Sequence, residues 1–461
     1  MKALHDPKGI LKTGLDAIRA EFSVPPSFPP QVLAAATRAA AKTPSAHRDR
    51  TDVPFVTLDP ATSTDLDQAF AIEQTGSDLL LRYAIADVAW FVEDGDAVDI
   101  EAWHRGETLY LPDGKAGLYP PVLAENAASL LPDGPRPAVV FTVRVAPDGE
   151  VGLDGVERSL VRSRAKLAYD RVAESELPQG FAELARRIAA AEDRRGAARV
   201  DPPQQEVVGL GQGRFALAYR PMLLSEERNA ALSLATNLAV AKALLAHRTG
   251  LFRVMAGPDA KAVARLRQSA SALGLGWPDA MDLKDFERDL DAADPAQAAF
   301  MLAIRRAGSG AGYAPYHPGA EPWHAAIAAP YVHATAPLRR LADRYVIRAA
   351  LALANGEAVP DAVTAAFDRL PEVMARADTI AARIERAAVD LAETVMLHGR
   401  EGETFHAVVT DSDGASARIQ LESLPIIART KLPEPVAPGR KLAVRLDKAS
   451  PESRQLTFVA I

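Results

Sequence analysis

Cysteine is missing from all 461 residues, which removes disulfides, thiolate metal sites and cysteine nucleophiles together. A long hydrophobic run is missing too. No stretch reads as approaching the length of apolar residues needed to cross a bilayer, so no membrane role is expected. The N-terminal "MKALHDPKGILKTGLDAIRAEF" is too polar and too acidic for a signal peptide, and a cytoplasmic location is the expectation. An excess of basic charge is also lacking. Lysine and arginine number 53 against 60 acidic residues, a formal net charge of −7, which argues against a protein that coats nucleic acid non-specifically. It does not exclude a nucleic-acid enzyme, for which a local basic stripe matters more than the sum. Neither an internal repeat nor a low-complexity tract is found.

What is there is an ordinary globular composition, 48% hydrophobic and 25% charged, enough to bury a sizeable core. The length suggests two or three folded units. Residues 1–50 carry helical patterns at roughly 8–20 and 30–42, split by "SVPPSFPP". There Lys2, Lys8, Lys12, Arg19, Arg38, Lys42, Arg48 and Arg50 outnumber Asp6, Asp16, Glu21 and Asp49. This is a small basic helical module, able either to touch a polyanion or simply to pack as an appendage. From about 51 to 175 come strand-like runs such as "PFVTLD", "QAFAIEQ", "LLLRYAIADVAWFV" and "AVVFTVRVAPDGEV". Long Ala-rich helices dominate 181–397. Strands followed by helices predict an α+β body. Residues 398–461 return to short strands at about ten-residue spacing, the pattern of a small β-barrel, with "APGRKLAVRLDKAS" as a late hairpin of an OB-fold.

The chemistry concentrates in "LDPATSTDLDQAF", residues 58–70. Asp59, Asp65 and Asp67 fall within nine positions beside apolar strand residues. If 65–69 is extended, Asp65 and Asp67 share a face, and "PATST" lets Asp59 fold back onto it. Carboxylates held that close either shift their pKa values upward or recruit a cation. Mg²⁺ suits the set: it takes oxygen ligands at about 2.0–2.1 Å and completes its shell with water and substrate phosphate. Each Asp alone reads better as a turn cap, a strand-end cap or a solvated residue. Three at this spacing favour the metal. A calcium loop of EF-hand type fails for lack of the sharp-turn Gly and the twelfth-position Glu.

These residues resemble a known family. D-x5-D-x-D is similar to the catalytic signature of the ribonuclease II / ribonuclease R (RNB) exoribonucleases. The resemblance continues through "YAIADVAWFVEDGDAVDIEAWHRGETLYLPDGKAGLYPPVLAENAASLLPDG" and returns in "YVHATAPLRRLADRY". The last 60 residues match the OB-fold RNA-binding domain that ends such chains. The first 50 do not resemble the paired cold-shock domains often found there. Beside the helical module at 1–50, the resemblance implies an RNB catalytic domain of mixed sheet and surrounding helices at 51–397 and an OB-fold domain at 398–461. It also implies 3′-to-5′ hydrolysis of single-stranded RNA to nucleoside 5′-monophosphates with one or two Mg²⁺ ions (Mn²⁺ being possible); a monomer is the separate expectation for the chain. Gln68 departs from the pattern, standing where members commonly carry a fourth Asp. An amide oxygen can ligate a metal or hold its water but brings no charge. A catalytically weakened RNA-binding protein is therefore the competing expectation, and a phosphodiesterase acting on DNA or small nucleotides is a third.

Other positions follow from the same resemblance. "HATAPLRRLADRYVIRAALALANGEA" predicts a helix with Pro337 in its first turn and Asn355–Gly356 at its end. Arg339 and Arg340 would then project beside a positive helix terminus, a conflict that a phosphate resolves. One of the two can instead pair with Asp343. The resemblance favours Arg339 for the scissile phosphate and gives Arg340 a lesser part in RNA binding. Tyr110 stands where the family places an aromatic near the RNA 3′ end; without the resemblance it reads as core. Glu226 is the natural choice for sensing the 2′-hydroxyl, although alignment on Asn237 puts Ala230 there. Glu385 resembles a late family Glu. An aromatic expected near "GAARVDPP" is absent, with Asp201 close to that point. His317, His324 and His333 lack ligand spacing and read as structural.

Overall fold

The computed structural model describes residues 2–3, 9–197, 204–211, 214–220, 222–291, 294–308, 310–412, 415–437 and 439–461. Asp201 lies outside the described residues, as do Asp6 and Lys8.

A seven-stranded sheet forms the centre. Its order is Ser163–Ala168, Phe55–Asp59, Gln68–Thr75, Asp78–Ala86, Arg136–Val145, Val151–Val161, Arg48–Asp49. The two edge strands pair in parallel and the inner pairs are antiparallel. Strands as apolar as Arg136–Val145 are buried nearly end to end because helices cover the sheet. Helices Phe181–Arg195, Leu224–Ala246 and Leu341–Ala354 contribute Leu184, Leu232, Leu244, Leu341 and Val346 to one continuous core with Phe70, Tyr83 and Phe141. The α+β expectation holds.

Helix Leu224–Ala246 corrects one sequence expectation. At 23 residues it is long and apolar enough to cross a bilayer by length and composition. Its apolar positions are instead taken up by the core, Leu232, Ala235, Ala239, Val240 and Leu244 being fully buried or nearly so.

The two helices of the first 50 residues, Ile10–Glu21 and Pro30–Ala40, serve different cores. Val32, Ala36 and Ala39 join the central core, whereas Leu11, Leu15 and Ile18 pack with the late part of helix Asp361–Leu397 and with the C-terminal barrel. The approach is close: a Cβ at Gly14 would lie 2.5 Å from the Leu391 side chain, so any larger residue there would force Leu391 to shift. Four basic residues of this segment meet acids elsewhere in the chain. Arg19 pairs with Asp113 at 2.7 Å, Lys42 with Glu93 at 2.6 Å, and Arg48 and Arg50 both with Glu157. Of the two roles the sequence allowed, packing is the one these contacts support.

Residues 404–460 close into a five-stranded barrel, ordered Thr404–Ser412, Ser416–Leu421, Ile427–Lys431, Gln455–Ala460, Lys441–Ser450. Alternation along Ser416–Leu421 turns Ala417, Ile419 and Leu421 inward. Glu393, on helix Asp361–Leu397, anchors this barrel. Its Oε1 accepts from the Ile427 N–H at 2.9 Å and from Gln205 Nε2 at 2.5 Å. Burial pushes the carboxyl up to about 8 from an ordinary 4.5. The folded chain thus keeps a proton that the unfolded chain releases. That contribution to stability is complete below about pH 4.5 and is lost as pH rises to about 8. Glu393→Gln keeps the acceptor oxygen and cannot ionise. Urea titrations are expected to show the variant gaining on the parent between pH 5 and 8, by on the order of 1 kcal/mol per pH unit. Parallel pH profiles would contradict this.

Candidate active site

The "PATST" segment folds back as the spacing suggests, and named contacts hold it. Lys166 Nζ donates to the carbonyls of Ala61, at 3.0 Å, and Ser63. Ser129 Oγ donates to the Thr64 carbonyl at 2.7 Å and accepts from the Leu66 N–H at 2.9 Å. Leu66 is fully buried, which turns the flanking Asp65 and Asp67 away from the core it fills. Both precede the strand, which begins at Gln68.

Asp67 is 6% exposed. Its Oδ1 accepts from the Leu338 N–H at 2.7 Å, and its Oδ2 lies 3.8 Å from Arg339 Nε. Burial, assisted by Asp343 and Asp65, raises its carboxyl to about 8 against the opposing pull of Arg339 and the Leu338 amide. Asp59 ends the neighbouring strand. Burial raises it to about 7, with Asp65 adding to the effect and Arg339 and Lys166 opposing it. Two carboxyls under the influence of the same arginine are thus held far above the usual range by lack of solvent.

The arginine turn differs from the sequence expectation. The helix begins at Leu341, so Pro337–Arg339 form a turn before it and Arg340 is its N-cap. Asp343 is the cause. Its Oδ2 accepts from the Thr335 and Ala336 N–H groups at 3.0 and 2.7 Å, folding the chain back over the helix start. The Leu341 N–H is spent on the Gly106 carbonyl at 2.9 Å, so this first amide of the helix is not aimed at a phosphate. Arg340 is clamped on Asp343 through Nε (2.9 Å) and Nη2 (2.8 Å), with its side chain 16% exposed. Its charge is taken up by this pair, because Asp343 is fully enclosed and needs a cation. Arg339 is the arginine left facing outward, 42% exposed.

This turn is tied to Tyr110. The Arg339 carbonyl accepts from the Thr108 N–H at 2.9 Å, and Glu107 bridges to Arg340 through the backbone. Gly106 makes the approach possible: its φ is +75°, and a Cβ there would lie 2.8 Å from that of Ala377. Tyr110 follows on the hairpin Leu109–Leu111/Gly114–Ala116 and is 52% exposed, which rules out the core role it has without the family resemblance. Asp65, Arg339 and Asp67 are all close enough to act on its hydroxyl, which burial of the oxygen and the two acids raise.

Gln68 does not reach outward as a free ligand. Its Oε1 accepts the hydrogen of Tyr83, a fully buried residue whose hydroxyl feels both Asp59 and Asp67 and is raised well above its ordinary range, first by burial. Asp65 is not free either. Lys115 Nζ lies 2.8 Å from its Oδ1. Among the described residues, no group of three or more His, Cys, Asp or Glu side chains is arranged to hold one metal ion. Of the expected ligands Asp59, Asp65 and Asp67, Asp65 is thus the one engaged by a lysine. Asp59 and Asp67 fit a divalent cation, since a positive ion offsets the desolvation that raises both carboxyls. Asp65 does not fit as their third ligand while it serves Lys115.

Glu226 caps its own helix by accepting from the Leu223 N–H at 2.9 Å, and it lies close enough to Tyr169 to raise that phenol. Ala230 is exposed. Asn237 is buried, its Oδ1 accepting from the Ala334 N–H at 2.9 Å. Glu385 is exposed on the long helix Asp361–Leu397. His333 bonds Tyr313 Oη at 2.7 Å, His324 packs edge-on to Tyr331, and His317 is exposed.

Besides Tyr83, three site residues escaped the sequence reading. Tyr169 donates its N–H to the Asp59 carbonyl at 3.3 Å, and its hydroxyl accepts from Asn229 Nδ2 at 2.9 Å. Only the parallel register Ala168↔Asp59 reveals it. Glu107 lies among Asp378, Arg340, Arg253 and Arg339, with burial and then Asp378 raising its carboxyl to about 7. Lys115 is the third, and only the hairpin register opposite Tyr110 points to it.

Known proteins show the same arrangement of folded units. The RNB domain family model matches residues 47–355, and that of the RNase II-type exonuclease C-terminal S1 domain matches 403–461. The chain belongs to the RNB family. It is 26% identical to ribonuclease R of Aquifex aeolicus over 443 residues, covering 88% of this chain and 61% of that protein. It is 38% identical to exoribonuclease 2 of Yersinia enterocolitica over 128 residues, 27% of this chain and 20% of the other. The chain thus spans less than two thirds of the length of these curated relatives. Among solved structures, Mycoplasma genitalium RNase R in complex with ribose methylated single-stranded RNA superposes with a TM-score of 0.88 at 20% identity, covering all of this chain and 79% of that one. Yeast Ssd1, a pseudonuclease, gives 0.72 at 16% identity, covering 96% and 59%. At such identities these likenesses speak for the fold alone.

Proposed function

We propose that this RNB-family chain is a 3′-to-5′ exoribonuclease that hydrolyses single-stranded RNA to nucleoside 5′-monophosphates, with Mg²⁺ or Mn²⁺ as its cofactor. The observation that carries the reading is the convergence of buried Asp67, half-buried Asp59 and outward-facing Arg339 beside the exposed ring of Tyr110. The names of the relatives support the activity class.

Water adds to phosphorus, the P–O3′ bond breaks, and the departing 3′-oxygen takes up a proton. A divalent cation held by Asp59 and Asp67 would supply Lewis acidity and a lowered pKa for bound water. Arg339, half-exposed and only loosely paired with Asp67, stands where it can meet the charge that grows on the phosphate oxygens. Tyr110 offers a face to the terminal bases, and stacking of this kind tolerates any sequence. Asp343 and Gly106 keep the arginine turn and the Tyr110 hairpin in fixed relation. The barrel would collect the strand and guide it inward.

The catalytically weakened RNA-binding protein keeps one observation in its favour, the engagement of Gln68 by Tyr83. Labelled single-stranded RNA with Mg²⁺ separates the two: the nuclease gives mononucleotides from the 3′ end, and the binder gives a shifted, intact band. A parallel DNA substrate tests the phosphodiesterase alternative. Tyr110→Ala is expected to weaken binding of an uncleavable RNA by about 1–3 kcal/mol, roughly 5- to 150-fold in Kd by fluorescence anisotropy. An unchanged Kd would remove the ring from the RNA path.

A further inference from the structure

Three features of this centre together bear on how many ions it takes. Lys115 Nζ sits between two carboxylates, 2.8 Å from Asp65 Oδ1 and 3.1 Å from Glu125 Oε1. None of the three is loosely placed. Lys115 is fixed by strand pairing opposite Tyr110, and Glu125 lies on the π-helical turn Leu123–Ala127, where it accepts from Thr64 Oγ1 at 3.0 Å. Their side chains are 25%, 12% and 30% exposed, so water screens the pairs only in part. Second, Gln68 contributes no charge, and its carbonyl oxygen is already taken by the Tyr83 hydroxyl. The strand register makes that pair a built feature. Gln68 stands opposite Ile85, which places Tyr83 on the same face, one diagonal step away. Third, of the two carboxylates left, Asp67 has its Oδ2 in no more than a loose 3.8 Å contact with Arg339, and Asp59 ends the strand paired beside it.

We infer that this active centre takes a single divalent ion, held by Asp59 and Asp67, and that the ammonium of Lys115 holds Asp65 in place of a second. The inference rests on the metal-dependent reading above. A second ion would have to strip Asp65 from Lys115. That would leave the ammonium facing a dication across a few ångströms of partly desolvated space, a like-charge contact with Glu125 as its only relief. Gln68 could not compensate, since an amide adds no charge and would first have to give up Tyr83. Lys115 is thus a positioning residue: it sets the charge and orientation of Asp65.

The test counts ions. The full chain, stripped with chelator, is titrated with Mn²⁺ in the presence of a 2′-O-methylated single-stranded RNA that is not cleaved, and free Mn²⁺ is read by electron paramagnetic resonance. One ion per chain is expected for the parent and for Lys115→Arg, and two for the Lys115→Met/Gln68→Asp double variant, with melting profiles checking the fold. Two tightly bound ions in the parent would overturn the inference while leaving the nuclease reading in place. A count of one in the folded double variant would overturn the role given to Lys115. No bound ion in the parent, or one that survives Asp67→Asn, would overturn the metal-dependent reading and the inference with it. Should the double variant not fold, the parent's count alone decides.

Discussion

Asp67→Asn is expected to lower the rate of single-stranded RNA hydrolysis by on the order of 10³-fold or more, with little change in melting temperature. The two halves of this expectation have different causes. Asparagine keeps an oxygen for the Leu338 N–H, so the 2.7 Å bond that joins the carboxylate segment to the arginine turn survives. The carboxyl is raised to about 8, so in the metal-free protein near neutrality it is already largely uncharged and asparagine is a close substitute for it. What the variant cannot do is become negative when a cation arrives. Binding of an uncleavable RNA should fall much less than turnover. If the variant retained a tenth of the parent activity, Asp67 would not belong to the chemistry.

Arg339→Ala is the second large effect: kcat is expected to fall by roughly 10²–10³-fold, with KM changed only a few-fold. The guanidinium is 42% exposed, and its contact with Asp67 is a long 3.8 Å, so the fold does not depend on it. Arg340→Ala should behave in the opposite way. Its partner Asp343 is fully buried and organises the turn through Thr335 and Ala336. Removing the arginine leaves a buried acid without its cation, at a cost of about 3–5 kcal/mol in stability. Steady-state kinetics and urea unfolding on both variants separate a charge that meets substrate from one that holds the turn. Equal losses of stability would contradict the division.

How far the sequence carried can be judged from these same residues. The barrel was legible because alternation and turn residues at ten-residue spacing are local signals, and the closed sheet over 404–460 follows them. The carboxylate segment was legible as a cluster because three acids within nine positions must lie near one another. Which of them stays free was not. Lys115 is 50 residues from Asp65 in the chain, and only the register of a short hairpin brings them together. Tyr83 and Tyr169 were hidden in the same way, since each reaches the site through strand pairing. The two arginines could be recognised as different only once Asp343 was seen to accept from two backbone amides and moved the helix start to Leu341. Propensity places Pro337 in a first turn. A buried carboxylate three residues beyond Arg340 overrides it.

Anomalous diffraction at the manganese edge, from crystals of the full chain with Mn²⁺ and an uncleaved single-stranded RNA, bears on all of this at once. The expected map has a peak shared by the Asp59 and Asp67 carboxylates and the last phosphodiester of the RNA, with Arg339 on that phosphate and the Tyr110 ring against a terminal base. A 3′ end bound elsewhere, or those two carboxylates without a peak while RNA is in place, would contradict the account.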